Sequence, residues 1–228
     1  MSLPLRPDTL DSDRAPSPLE IDDSGLSPEV YRQLFVSLDL DLDRHPVIGI
    51  TSAIGGEGRT TVALGLASTL ADDLDSLVSL VEVDLEHPTL AQRFGLGTSP
   101  GFAEVLRGEQ RLPDVRCVAA PNLCVITAGA QEANQEALLR QLPLNDPFHG
   151  PHGLHGVVIL DLPPLLGYGY SSEAARVADV TLLVVRGGVT PVEIIRDAVS
   201  RLGDKPPRGV VFNGARSDLP SWWPGRGL

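Results

Sequence analysis

Short apolar segments alternate with amphipathic segments along most of the chain. The strand-length apolar runs lie at residues 46–53, 76–84, 123–129, 156–164, 179–185 and 208–214. Helical patterns lie at residues 27–40, 60–73, 101–109, 136–142, 172–178 and 191–203. Strands that are apolar at nearly every position are typical of parallel sheets covered on both faces. The pattern therefore predicts an α/β fold, with a mostly parallel sheet and helices on both of its faces.

The two ends of the chain lack this alternation. Residues 1–26 are rich in Pro, Ser and Asp, and we predict a disordered N-terminal tail. The folded domain is predicted over residues 27–216, and it begins with a helix that has Ser27 as its cap and Pro28 in its first turn. Residues 217–228 are predicted to form a C-terminal tail.

The charge balance excludes some partners. The net charge is −12, and no cluster of basic residues is present, so we expect no nucleic acid partner. No apolar run approaches the roughly 20 residues of a membrane-spanning helix. No export signal is evident, so we expect a cytoplasmic protein unless a partner holds it at a membrane. The chain has 17 arginines but a single lysine, Lys205, a bias that bears on the next motif.

A Gly-rich turn follows the first predicted strand. From Ala53 it reads AIGGEGRTT, which is close to a phosphate-binding loop with arginine in place of lysine. Its glycines let backbone N–H groups converge on an anion, and the helix that follows adds its dipole. The alternative is a turn without a ligand, but the order of strand, turn and helix favours a nucleotide site. The predicted binding residues are Gly55, Gly56, Glu57, Gly58, Arg59, Thr60 and Thr61.

Polar side chains end other predicted strands. Asp161 ends a buried strand, where nucleotide hydrolases place an aspartate that holds Mg²⁺. Glu82 and Asp84 lie two residues apart, so both can face one side and act as a metal ligand and a base. The alternative is a solvated strand end. We predict catalytic roles for Glu82, Asp84 and Asp161, Mg²⁺ ligation by Thr60, Asp84 and Asp161, and a nucleotide contact from Asn213.

Eight segments in this order resemble the cytoplasmic domain of the bacterial tyrosine kinases of capsule and exopolysaccharide systems (BY-kinases). Between residues 28 and 216 they read PEVYRQL, TSAIGGEGRTT, LVEVDLEHPTLAQRFGL, GFAEVLRGE, NLCVITAG, ILDLPPLL, DVTLLVVRGGVT and GVVFNGA. The resemblance implies a P-loop ATPase fold that binds ATP or ADP with Mg²⁺ and autophosphorylates a C-terminal tyrosine cluster. It also implies a membrane polysaccharide co-polymerase, the chain-length regulator, as a partner that recruits the protein to the inner face of the membrane.

The family also forms rings through charged residues of the helix before the first strand. Glu29 and Arg32 match that pattern, whereas Phe35 replaces the second arginine. We therefore expect any homo-oligomer to have a more apolar contact than a charge-bridged ring. The alternative is that Phe35 packs on its own domain and that the protein is a monomer.

The chain departs from the family pattern at positions that matter for phosphoryl transfer. Arg59 replaces the loop lysine. The planar guanidinium group of arginine positions phosphates differently from the compact ammonium group of lysine. The lysine-poor composition could explain Arg59, but it does not explain Glu86, which stands where the family has arginine. In addition, Glu82 replaces an aspartate, and residues 217–228 contain no tyrosine.

The sequence therefore predicts a BY-kinase-like regulatory partner of capsule or exopolysaccharide polymerisation and export. Nucleotide binding is expected to be weakened, and kinase activity reduced or absent. One alternative is an active ATP-dependent protein-tyrosine kinase of the same pathway. The second is a partition or positioning ATPase, a class that carries lysine at the position of Ile54 and, where it binds DNA, a basic face.

Overall fold

The computed structural model describes residues 26–96, 100–130, 134–150 and 153–214. The strands are β1 (Val47–Ser52), β2 (Val78–Glu82), β3 (Cys117–Ala120), β4 (Leu123–Ile126), β5 (Val157–Asp161), β6 (Val180–Arg186) and β7 (Gly209–Asn213). The helices are α1 (Pro28–Ser37), α2 (Arg59–Asp73), α3 (Leu90–Arg93), α4 (Phe102–Leu106), α5 (Gln135–Gln141), α6 (Ser171–Ala175) and α7 (Val192–Arg201). Short 3-10 helices lie at Leu42–Arg44 and Leu112–Val115. The predicted tails lie almost entirely outside the described residues.

One seven-stranded sheet forms the centre of the domain. Its strand order is β3-β4-β2-β5-β1-β6-β7, and every neighbouring pair is parallel except β3 with β4. Apolar side chains of α1, α2 and α3 pack on one face, and those of α4, α5, α6 and α7 pack on the other. The prediction of a mostly parallel sheet with helices on both faces is confirmed.

The sequence pattern missed β3 and α3. Side chains along β3 alternate between half-buried and exposed, because β3 is an edge strand that runs antiparallel to β4 with a bulge. It therefore lacks the continuous apolar run of the buried strands. Helix α3 has only four residues, too few to show a helical period.

Helix α1 is anchored on α2 by one aromatic side chain and one ion pair. Tyr31 is only 3% exposed, and its ring lies so close to Gly65 that a Cβ there would be 2.3 Å from the Tyr31 hydroxyl. Arg32 donates two hydrogen bonds to the Asp73 carboxylate, at 2.6 and 2.9 Å. At the start of α1, Ser27 occupies the cap position, but its side chain makes no capping hydrogen bond. Phe35 is half-buried against the apolar core that α1 and α2 share on this face of the sheet. This burial favours the alternative that the Phe35 side chain packs on its own domain.

Candidate nucleotide-binding site

The polar ends of several strands meet at one edge of the sheet. Parallel strands present their carboxyl ends together, and ligands of such folds bind there. In the sheet register, Asp161 of β5 lies beside Ile50 of β1 and beside Glu82 of β2. The Gly-rich loop leaves the end of β1 and leads directly into α2. The fold therefore brings the predicted loop and the predicted carboxylates to one place.

Gly58 is required by the shape of the loop. Its φ is +91°, in the left-handed region that side chains disfavour, and a Cβ there would be 2.0 Å from Asn213 Nδ2. Gly56 also has a positive φ, of +80°. Gly55 has neither constraint, since its φ is not positive and a Cβ added there would meet nothing within 4 Å beyond its chain neighbours. The Asn213 amide donates to the Glu57 carbonyl at 2.9 Å, so the end of β7 holds the loop in place.

Glu57 stabilises the loop from inside. Its side chain is 2% exposed, and its carboxylate accepts hydrogen bonds from the Ile54 N–H at 2.9 Å and the Arg186 N–H at 3.1 Å. The Thr190 hydroxyl donates to the same carboxylate. The bond from Ile54 lies within the loop, and the other two tie the loop to the end of β6 and to the turn after it. A nucleotide contact from Glu57 would therefore have to come from its backbone, and it stays a prediction.

Arg59 and Asp84 form a buried ion pair in the site. Arg59 Nη2 lies 2.6 Å from Asp84 Oδ2, and the side chains are only 11% and 3% exposed. The other two guanidinium nitrogens of Arg59 are buried without a hydrogen-bond partner among the described residues. Buried donors of this kind are costly unless an acceptor satisfies them, and a phosphate group is such an acceptor. Arg59 therefore fits a site for an anion.

Thr60 and Asp161 meet at the start of α2. The Thr60 hydroxyl donates to Asp161 Oδ2 at 2.7 Å, while Asp161 Oδ1 is buried without a partner in the described part of the chain. Burial raises the pKa of Asp161 to about 7. Mg²⁺ at phosphate sites is commonly bound by one or two protein oxygens together with water and substrate, and this pair fits that requirement. No group of three or more His, Cys, Asp or Glu side chains suited to a metal occurs among the residues described.

Glu82 has a structural set of partners. Its carboxylate accepts hydrogen bonds from the N–H groups of Thr89, Leu90 and Ala128, and it joins the end of β2 to the start of α3. Burial raises its pKa. The alternative of a solvated strand end is wrong, because Glu82 and Asp84 are 1% and 3% exposed. The catalytic role of Glu82 stays a prediction, as does the nucleotide contact of Thr61, which lies half-buried on α2.

His87 also lies beside the site, although no sequence motif pointed to it. Its backbone N–H donates to Asp84 Oδ1 at 3.2 Å, and its Nδ1 lies 2.7 Å from the Tyr168 hydroxyl. A lone histidine in a loop gives no periodic signal. Its place three residues after Asp84 was the available indication.

Stability should fall with rising pH through the titration of Asp161. The folded-state pKa of Asp161, about 7, lies above the ordinary 3.8. The contribution of Asp161 to the free energy of unfolding is therefore fully present below about pH 4 and is lost as the pH rises through about 7. We expect Asp161→Asn to remove this dependence, so that the variant gains on the native protein by up to about 4 kcal/mol between pH 4 and pH 8. Urea unfolding in EDTA at several pH values measures the difference. The exposed Asp72→Asn controls for loss of a carboxylate, and parallel curves for native protein and Asp161→Asn would contradict the prediction.

The sequence of the chain was compared with those of known proteins. No family model matches the chain. It is 28% identical over 197 residues to tyrosine-protein kinase YwqD of Bacillus subtilis, a match that covers 84% of this chain and 83% of that protein. It is 27% identical to tyrosine-protein kinase CpsD of Streptococcus agalactiae, over 86% of this chain and 88% of that protein. The chain belongs to the bacterial tyrosine kinase (BY-kinase) family.

Some longer relatives match this chain over only a part of their length. The succinoglycan biosynthesis transport protein ExoP of Rhizobium meliloti is 28% identical over 81% of this chain, which spans 24% of that protein. The tyrosine-protein kinase ptk of Acinetobacter johnsonii is likewise matched over 23% of its length. The BY-kinase chain described here thus spans most of some relatives and about a quarter of others.

Solved structures agree with this assignment. The BceF tyrosine kinase domain is 27% identical with a TM-score of 0.68, over 83% of this chain and 78% of that one. The kinase domain of Escherichia coli tyrosine kinase ETK has a TM-score of 0.69 at 24% identity, over 86% and 79% of the two chains, and at this identity it shows likeness of fold alone. The septum site-determining protein MinD of Pyrococcus horikoshii, complexed with Mg-ADP, has a TM-score of 0.62 at 21% identity, over 77% and 74%, and shows likeness of fold alone. In the described part of the BY-kinase chain, no helix combines the length and apolarity needed to cross a bilayer.

Proposed function

We propose that this BY-kinase binds Mg-ATP and Mg-ADP at the Gly-rich loop, and that it transfers phosphate slowly. It serves as a regulatory partner in the polymerisation and export of a capsular or extracellular polysaccharide. The setting is supported by a relative whose name describes succinoglycan biosynthesis and transport. A membrane polysaccharide co-polymerase is the partner that fits this setting, and it would hold the protein at the inner face of the membrane.

The ion pair between Arg59 and Asp84 is the observation that carries the proposal. A base for an incoming hydroxyl has to be free to accept its proton, but the Asp84 carboxylate is neutralised by a guanidinium at 2.6 Å. The two guanidinium nitrogens of Arg59 that have no partner among the described residues still supply donors for a phosphate. Binding is therefore retained, while the arrangement for transfer is poor.

Thr60 and Asp161 are the residues that would hold Mg²⁺. When bound, the metal neutralises charge that develops on the transferred phosphate. The Thr60 hydroxyl and Asp161 Oδ1, which has no partner in the described part of the chain, would supply oxygen ligands from the start of α2 and the end of β5. Asp84 is a third predicted ligand, although its pairing with Arg59 occupies one of its oxygens.

An active protein-tyrosine kinase is the second candidate, because the names of the relatives YwqD and CpsD describe that activity. The positioning ATPases share the fold, but position 54 is isoleucine rather than the lysine of that class, and the net charge of −12 disfavours a DNA-binding face. That third candidate has no specific observation in its favour.

Two measurements test the proposed function. Calorimetry should show Mg-ADP binding by the native protein, and Thr60→Ala should weaken it about tenfold or more through loss of a metal ligand. Incubation with labelled ATP should then show slower transfer to protein tyrosine than a lysine-containing relative assayed beside it. We expect no phosphate on residues 217–228, which contain no tyrosine. Lack of Mg-ADP binding would refute the proposal, and transfer as fast as in the relative would favour the active kinase.

A further inference from the structure

A half-buried tyrosine lies beside the nucleotide site. Tyr168 is stacked on Tyr170, with ring centroids 5.3 Å apart and an angle of 8° between the rings. The other tyrosines of the chain, Tyr31 and Tyr170, are only 3% and 2% exposed. Tyr168 is therefore the tyrosine whose hydroxyl a reagent can reach, and the stack fixes the direction of its ring.

The segment that carries Tyr168 is attached to the Gly-rich loop. The Leu165 N–H donates to the Ser52 carbonyl at 2.8 Å. The Leu166 N–H donates to the Ala53 carbonyl at 3.0 Å. Ala53 is the first residue of the loop, and Tyr168 lies only two residues after Leu166, which bonds to Ala53. Its position relative to the loop is thus set by hydrogen bonds rather than by a free connection.

The Tyr168 hydroxyl connects to the charged side chains of the site. It lies 2.7 Å from His87 Nδ1, and the His87 and Tyr168 rings are stacked with their centroids 6.1 Å apart. The His87 N–H in turn donates to Asp84, which is paired with Arg59. A continuous chain of contacts therefore runs from the phenol to the residue that stands at the lysine position of the loop.

We propose that Tyr168 is an internal phosphoryl acceptor for a nucleoside triphosphate bound at the Gly-rich loop. This inference rests on the proposed function. Tyr168 Oη attacks the γ-phosphorus, the bond from that phosphorus to the oxygen bridging the β-phosphate breaks, and nucleoside diphosphate leaves. The phenolic proton passes to His87 Nδ1 along the existing hydrogen bond.

The surroundings of the phenol explain why a proton acceptor is needed. Burial, together with the nearby carboxylates of Asp84 and Glu86, raises the pKa of Tyr168. The phenol therefore keeps its proton at neutral pH, and the histidine supplies the general base that the paired Asp84 does not. The tyrosine-free segment 217–228 offers no competing acceptor.

Mass spectrometry after incubation with Mg-ATP tests the acceptor. We expect phosphate on Tyr168 of the native protein, none at any tyrosine of Tyr168→Phe, much less on Tyr168 in Thr60→Ala, and unchanged phosphate on Tyr168 in Tyr170→Phe. Tyr170→Phe is the matched control, because its buried hydroxyl has no hydrogen-bond partner among the described residues. His87→Gln should slow the transfer about a hundredfold and leave Mg-ADP affinity unchanged.

A second readout does not depend on transfer. Mg-ADP should slow nitration of Tyr168 by tetranitromethane, whereas Tyr31 and Tyr170 should stay unreacted with or without it. An unchanged nitration rate in protein that binds Mg-ADP would overturn the inference, as would phosphate at other residues with none on Tyr168. Both results would leave the proposed function standing. Failure to bind Mg-ADP at all would overturn both.

Discussion

Replacing Gly58 with alanine is expected to destabilise the protein by about 2–3 kcal/mol and to abolish Mg-ADP binding. A left-handed residue with a side chain costs about 1–2 kcal/mol, and the new methyl group would displace the Asn213 amide from its hydrogen bond to the Glu57 carbonyl, at about 1 kcal/mol more. Urea unfolding and calorimetry measure the two effects. The predicted anion site depends on the conformation of this loop, so we expect the loss of binding to exceed the loss of stability.

Gly55 provides the control for this substitution. Gly55→Ala places a methyl group in open space with no positive φ to strain, so the free energy of unfolding should change by less than about 1 kcal/mol. Asn213→Ala should also cost less in the G58A background than in the native protein, since the contact would already be broken. Equal losses for Gly55→Ala and Gly58→Ala would show that the conformation of Gly58 is not the cause.

Replacing Arg59 with lysine is expected to tighten Mg-ADP binding about tenfold, or about 1.4 kcal/mol, and to speed phosphoryl transfer. The lysine ammonium is a compact charge with rotatable donors. It can exchange its contact with Asp84 for a contact with phosphate more readily than the planar guanidinium of Arg59 can. Calorimetry and a labelled-ATP assay test both parts of this expectation.

Arg93→Lys, at an exposed position at the end of α3, controls for the exchange of residue type. If the native protein binds tightly and Arg59→Lys weakens binding, Arg59 is an adapted ligand and the ion pair does not hinder the site. If native protein and Arg59→Lys bind alike, the residue at position 59 contributes little to affinity.

Most of the fold could be predicted because the central strands are apolar at nearly every position. β1, β2 and β5 are buried along their whole length, and such runs separated by helices leave few other arrangements. β3 escaped prediction because half of an edge strand faces solvent. Its antiparallel direction depends on pairing with β4, which is not encoded in the pattern of β3 alone.

The candidate site could be predicted as a set of residues but not as a set of contacts. The order of strand, glycines and helix located the loop, since the chemistry of phosphate binding requires those residue types together. The spacing of Glu82 and Asp84 did not reveal that Glu82 bonds to three backbone N–H groups while Asp84 pairs with Arg59. Ala128 lies 46 residues from Glu82 and Arg59 lies 25 residues from Asp84, so only the folded chain shows these contacts.

Helix α2 connects the Tyr31 ring, which packs against it, to the Gly-rich loop at its start. Gly65, on which Tyr31 rests, is six residues from Arg59, or about 9 Å along the helix axis. The Tyr31 ring packs directly against Gly65, so α1 and α2 cannot move apart without leaving a gap in the core. We therefore expect a displacement of α1 to shift α2 together with the Gly-rich loop, and a displacement of the loop to move α1 in return.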